Sequence, residues 1–276
     1  MSHLVLTASS FTSCEILLTF HNYSKLQLEL EMPSEGVILF NNVECRTAES
    51  NDDFDHHAAQ NSLLKISQAI LQSCQIVYHQ PTWQEILNMS SELSQSQQDL
   101  EAWHENLPMT ASSSFNFANG DTNTLSQDPT LRELYCSYLE AKELSLRVWT
   151  YLCACTDLAH IIHLSGDAFI CEHFLTDCCN KASQHLKSVI LRLRAELESH
   201  RNATQFHDSY FVIQDCFMLT SLLLGARNSI SHSINAMAGV NMPNDWAVTV
   251  NDIITFLEAA DDCSRGKEYA SILRLL

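Results

Sequence analysis

The sequence predicts an all-α protein, a multi-helix bundle of helical hairpins with a short extended N-terminal segment. Three observations predict it. Apolar residues recur at three- and four-residue intervals over most of the chain from His57 onward. The 276 residues include only 6 Gly and 5 Pro, too few for the turns of a sheet protein or a nucleotide-binding α/β fold. Apolar side chains make up 46% of the chain, which excludes a disordered chain by composition and suffices for a large core.

Residues 1–56 are expected to be an extended or irregular segment, and residues 57–276 a helical domain interrupted by a loop at 109–129. In the first segment Leu26, Leu28, Leu30 and Met32 alternate with Gln27, Glu29 and Glu31, the period of a half-buried strand. Pro33-Ser34-Glu35-Gly36 signals a turn before Val37-Ile38-Leu39-Phe40. Both a hairpin and an extended strap on a helical body fit this pattern. Residues 46–56 are polar and acidic, as a loop is.

From His57 the period becomes helical. Leu63, Ile66, Ile70, Cys74 and Val77 share one face, and His79-Gln80-Pro81 closes the helix. Thr82, with Glu85 three residues on, predicts a capping box for the next helix. There Ile86, Leu93, Leu100 and Leu107 repeat every seven residues, and Met89 and Trp103 fill the same stripe on a mostly solvated helix. The two helices should pair as an antiparallel hairpin. Pro108 follows, and then a loop of Ser, Asn, Thr, Gly and Asp.

Asp128-Pro129 predicts the start of a long central helix. Leu131, Leu134, Tyr135, Tyr138, Leu139, Leu146, Val148, Trp149 and Leu152 cover more than half its circumference. A break near Thr156 separates it from Leu158, Ile161 and Ile162, and Gly166 ends that piece. The next helix carries Phe174 to Leu197, with Lys181, Lys187, Arg192 and Arg194 on its other face. A buried helix is expected over Tyr210 to Ala226, and a shorter one near 228–238. Asn241-Met242-Pro243-Asn244-Asp245 reads as a turn before a last pair near 246–260 and 264–276. The run from Tyr210 to Ala226 contains Gln214 and Asp215 and is short of the ~20 apolar residues of a membrane span.

The formal net charge of -18 disfavours phosphate backbones and anionic membranes and suits a protein partner. The 11 cysteines are odd in number, irregularly spaced and mostly set among apolar residues. With no basic n-region and no long apolar h-region at the N-terminus, an intracellular chain with reduced cysteines is expected.

Four groups of residues invite chemistry. Cys153, Cys155, His160 and His163 offer metal ligands, but on one helix the two cysteines point to different sides, so core and surface packing is expected instead. His56 and His57 lie beside Asp52, Asp53 and Asp55, where acids suit a helix start. Asn251, Asp252, Thr255 and Glu258 resemble the N-D-x-x-[ST]-x-x-x-E magnesium motif of class I terpene synthases, with Asp52 and Asp53 standing for the Asp-rich partner motif. Both are out of register by one residue, about 100° around a helix. Cysteine and histidine are plentiful enough for nucleophilic chemistry, and nothing in the sequence selects a pair. No nucleophile elbow, P-loop or dinucleotide fingerprint occurs.

Five stretches, taken in order, carry a family resemblance. Leu28 to Phe40, with Met32-Pro33-Ser34-Glu35, looks like an extended segment ending L-P-x-x-x-x-F. Leu63 to Tyr78 is the helix after it. Leu93 to Pro108 is similar to L-x-x-W-x-x-x-L-P, with Trp103, Leu107 and Pro108 in place. Leu131 to Tyr151 carries Tyr138, Leu144 and Arg147 where Y-x-x-x-x-x-L-L-x-R-P is frequent, with Val148 in the proline's place. Leu257-Glu258-Ala259-Ala260 and Tyr269-Ala270 look like a terminal L-E-x-x-A and A-x-x-x-x-x-L. Together, over residues 28 to 276, they resemble the middle homology region of fungal zinc-cluster transcription factors. The family's six-cysteine zinc cluster, opening C-x2-C-x6-C, does not occur among the 11 cysteines.

The resemblance implies a nuclear transcription regulator that acts through protein contacts with itself, a DNA-binding subunit or a coactivator, without touching DNA. Stand-alone relatives are associated with secondary-metabolite gene clusters. It implies no catalytic, cofactor-binding or metal-binding residue. Trp103, Tyr138, Trp149, Phe211 and Phe217 are then structural core. The competing expectations are a magnesium-dependent enzyme of the terpene-synthase type, using Asp52, Asp53, Asn251, Thr255 and Glu258, and a helical scaffold unrelated to transcription.

Overall fold

A computed structural model describes residues 56–74, 81–107, 129–155, 158–163, 168–201, 209–259 and 264–276. Eight α-helices and one 3-10 helix, and no strand, occur among the described residues. They are α1 (His56–Cys74), α2 (Trp83–Glu105), α3 (Pro129–Cys155), α4 (Leu158–His163), α5 (Ala168–Arg201), α6 (Ser209–Ser231), the 3-10 helix (Asn235–Gly239), α7 (Trp246–Ala259) and α8 (Ser264–Leu275). The protein is all-α, as expected. The expected N-terminal strand pair, the 46–56 loop, the His79-Gln80-Pro81 stop, the Gly166 stop and most of the 109–129 loop lie outside the described residues.

The helices α3 and α5 pack along each other as a spine. The α1–α2 hairpin lies against α3, and α6 with the α7–α8 pair closes the other side of α5. That α1 and α2 are antiparallel follows from one bond. The Trp103 indole near the end of α2 donates from Nε1 to the Ala59 carbonyl near the start of α1, at 3.0 Å.

The start of α2 is set locally. The Thr82 backbone N–H donates to Glu85 Oε2 at 2.7 Å, and the Glu85 N–H donates to Thr82 Oγ1, completing the capping box. The buried face of α2 is Ile86, Met89, Leu93, Ser96, Leu100 and Trp103. This is a three-four alternation, so the seven-residue seam holds through its whole length. Each large apolar side chain sealed in such a seam contributes roughly 1.5–3 kcal/mol.

Two cores result. The larger gathers Trp149, Leu152, Leu186, Leu193, Leu223 and Ile253 from α3, α5, α6 and α7. The smaller joins Leu63, Leu100, Trp103, Tyr135 and Tyr138 from α1, α2 and α3 with Leu107, just past the end of α2.

Two expectations need correction. The helix expected near 228–238 does not form as one piece. Residues up to Ser231 continue α6, Ser233 takes a left-handed φ of 50°, and only Asn235–Gly239 coils again, as a 3-10 turn. The second correction concerns the basic residues of α5, which do not share one face away from the apolar stripe. Lys187 is exposed, but Arg192 is only 5% exposed, and the Lys181 ammonium lies over the Trp149 ring at 4.4 Å. Acids on neighbouring helices draw Arg192 inward.

Candidate functional site

The most unusual chemistry is a charged network buried between α3, α5 and α6. Glu143 stands on α3 among Leu139, Leu146 and Trp149 and is fully buried. His185 and Arg192 stand seven residues apart on α5, one above the other on the face that meets α3. Glu143 Oε1 and Oε2 take two hydrogen bonds from Arg147, at 2.9 and 2.8 Å. Oε2 also accepts from Arg192 at 3.2 Å, and Oε1 from His185 Nε2 at 2.8 Å. Arg192 is also ion-paired with Asp215 of α6 and, at 3.4 Å, with Glu140.

These contacts settle the protonation pattern. Arg147 beside Glu143 holds the buried carboxyl well below its usual value against the opposing effect of burial. As a carboxylate it only accepts, so His185 Nε2 carries the proton. Burial pushes the His185 pKa below its ordinary 6.5, so the ring is neutral and Nδ1 is bare. Thr150, whose hydroxyl lies 2.8 Å from Nδ1, is then the donor. Burial, with the neighbouring carboxylates, raises Asp215 and Glu196 against the opposing Arg192.

Thr150, His185 and Glu143 thus form a hydroxyl–imidazole–carboxylate chain of the composition used for nucleophilic catalysis. Their exposures are 1%, 0% and 0%. A nucleophile must reach its substrate, and this hydroxyl is enclosed by packed helices. The arrangement joins α3 to α5 and is structural.

The sequence-predicted sites fare differently. Asn251, Asp252, Thr255 and Glu258 are all exposed on α7, while Val250, Ile253, Ile254 and Leu257 form its buried face. The Thr255 hydroxyl donates back to the Asn251 carbonyl at 2.9 Å, and Glu258 is held by Arg274 of α8 at 2.8 Å. These residues face solvent rather than a cavity. Asp52, Asp53 and Asp55 lie outside the described residues, as does the His57 side chain; His56 is half-buried.

Cys153 is buried and His160 exposed, so the two do not converge. The side chains of Cys155 and His163 lie outside what the structure describes. Among the described residues, no three His, Cys, Asp or Glu side chains are grouped to hold a metal.

Trp103, Tyr138 and Trp149 are core, as expected. Trp103 stacks on Tyr138 at 5.8 Å between ring centroids. Phe217 is half-buried and stacks on Tyr269 at 4.2 Å, and the Phe211 side chain lies outside the described residues.

Cysteine reactivity separates along the chain. Burial raises the thiols of Cys74, Cys136, Cys178 and Cys216 above their ordinary value. The Cys179 thiol on α5 donates to the Ala236 carbonyl at 3.4 Å, and the neighbouring Cys153 of α3 lowers its pKa while Cys179 and burial raise that of Cys153.

No protein family, curated protein or solved structure matches the chain. No described helix is long and apolar enough to cross a membrane.

Proposed function

We propose that the chain is a transcription-regulatory domain that works in the nucleus through protein–protein contact and carries no chemistry of its own. One observation carries the proposal. Leu63, Trp103, Leu107 and Tyr138 come from three of the stretches that resemble the zinc-cluster middle homology region, and they close into a single small core. Motif residues that pack on one another are what a shared helical scaffold requires. The formal net charge of -18 suits a basic protein partner rather than nucleic acid.

Control of a secondary-metabolite gene cluster is part of the proposal, on the same resemblance. The solvent-facing positions of Asn251, Thr255 and Glu258 favour it over magnesium-dependent terpene chemistry. Deleting the gene in its native host and profiling transcripts, with a nuclear pull-down of the tagged chain, tests it. A co-regulated set of transcripts and a nuclear protein partner are expected. An unchanged transcript profile with no nuclear partner overturns the proposal and leaves the scaffold reading.

A further inference from the structure

A fixed donor on the bare nitrogen of a buried histidine locks the ring neutral. Protonation would set two N–H groups against each other. His185 is held differently. Its Nδ1 meets the Thr150 hydroxyl at 2.8 Å, and a hydroxyl donates or accepts according to how it turns. The same oxygen lies 3.5 Å from the Ala182 carbonyl of α5, a second acceptor for the hydroxyl proton. On the other side of the ring Nε2 donates to Glu143 Oε1 at 2.8 Å.

We propose that Thr150, His185 and Glu143 form a proton-operated hydrogen-bond switch inside the α3–α5 spine, with one satisfied arrangement for each charge state of the ring. With the ring neutral, the Thr150 hydroxyl donates to Nδ1. When a solvent proton binds Nδ1, that N–H donates to Thr150 Oγ1, and the hydroxyl turns its own proton to the Ala182 carbonyl. The imidazolium then lies between Oγ1 and the Glu143 carboxylate. Both ring nitrogens and the hydroxyl keep a partner in either state, so the folded bundle takes up the proton without parting α3 from α5.

The groups around the ring set how far acidification must go. Burial lowers the His185 pKa most, Glu143 raises it, and Arg147 lowers it. Arg192 of α5 acts on the ring through Glu143, and is itself shared with Glu140 of α3 and Asp215 of α6. Cys74 of α1 lies near Glu143 and Arg147, and burial pushes its thiol up to about 12, so it stays neutral. Lys181, one turn earlier on α5, is held by Asp177 at 2.8 Å and by the Trp149 face. Asp252 and Glu258 of α7 and His160 of α4 are exposed, and the 3-10 helix has no charged residue. This inference is independent of the transcriptional proposal.

Nitrogen-15 NMR of the full chain, labelled at histidine, follows the ring from about pH 8 downward, with circular dichroism recording that the helices remain. The signal missing from His185→Gln identifies the residue. The expected start is a bare Nδ1 and a protonated Nε2. A proton should then appear on Nδ1 while the helices are intact, close in space to the Thr150 methyl. A ring that stays neutral until the helices melt overturns the proposal, as does a neutral ring protonated on Nδ1. Thr150→Ser keeps a hydroxyl that turns and should titrate with the unsubstituted chain. Thr150→Val keeps the shape but leaves the Nδ1 proton no acceptor, so proton uptake should weaken about tenfold, a shift of about one pH unit downward. Equal titration in all three proteins overturns the proposal. Where Thr150→Val does not fold, the unsubstituted chain decides alone, and an Nδ1 proton with no contact to the Thr150 methyl overturns the switch.

Discussion

Glu143 is the residue on which the interior depends most. It accepts from Arg147, Arg192 and His185 with no exposure to water. Replacing it with Ala leaves Arg192 short of a buried partner and His185 without an acceptor. The loss of stability should be about 3–5 kcal/mol, read from denaturant unfolding. Glu143→Gln keeps an acceptor for His185 and should lose less. His185 gives the pH dependence its sign. Its pKa in the folded protein lies below 6.5, so in that window the unfolded chain binds the extra proton. The stabilisation is present above the ordinary value and is lost as pH falls through and below it. Glu143, also lowered, acts with the same sign at more acid pH, while the raised Asp215 and Glu196 oppose it. Unfolding followed from about pH 8 to about pH 5.5 should show stability falling, and His185→Gln should flatten that fall. A slope unchanged by the substitution would assign the effect to other groups.

Single helices explain both what could be read in advance and what could not. The capping box at Thr82 and the seven-residue seam of α2 are local, and the structure keeps both as the sequence predicts. Thr82→Ala should cost about 1 kcal/mol, seen in thermal unfolding. The charged network was legible in principle. Glu143 occupies an apolar-stripe position on α3, as His185 and Arg192 do on α5. What a single helix could not supply was the pairing, since the partners are 42 and 49 residues apart. Arg192 does not belong with Lys187 on the face away from the core, because it stands three residues after Val189, on the apolar stripe of α5. On α7 the Asn251 stretch matched a motif in letters only. Its polar residues project from the side opposite Ile253 and Leu257. Glu258→Gln should therefore change stability by about 0–1 kcal/mol. Magnesium should leave the melting temperature of both proteins unmoved; a magnesium-dependent rise abolished by the substitution would revive metal chemistry there.

At the scale of the whole molecule, α3 belongs to both cores. Its Tyr138 lies in the smaller and its Trp149 in the larger. Neither core can lose this helix while the other stays intact, so the described helices should unfold together. Chains retaining only Trp103 or only Trp149 report on one core each. Their fluorescence transitions should coincide with each other and with loss of helical circular dichroism. Separate midpoints would divide the bundle into independent units.

The position of Glu143 also has a steric corollary for how α3 and α5 slide. Along α3 its neighbours one turn away are Leu139 and Leu146, and leucines on facing helices are nearly interchangeable contacts. A shift of one turn, about 5.4 Å, would trade one leucine for another at small loss. It would also part Glu143 from His185 and Arg192 of α5, leaving the buried carboxylate only Arg147 of its own helix. The spine has many acceptable rungs for its apolar side chains and one for its carboxylate, so the buried acid selects a single axial alignment that leucines alone would leave open.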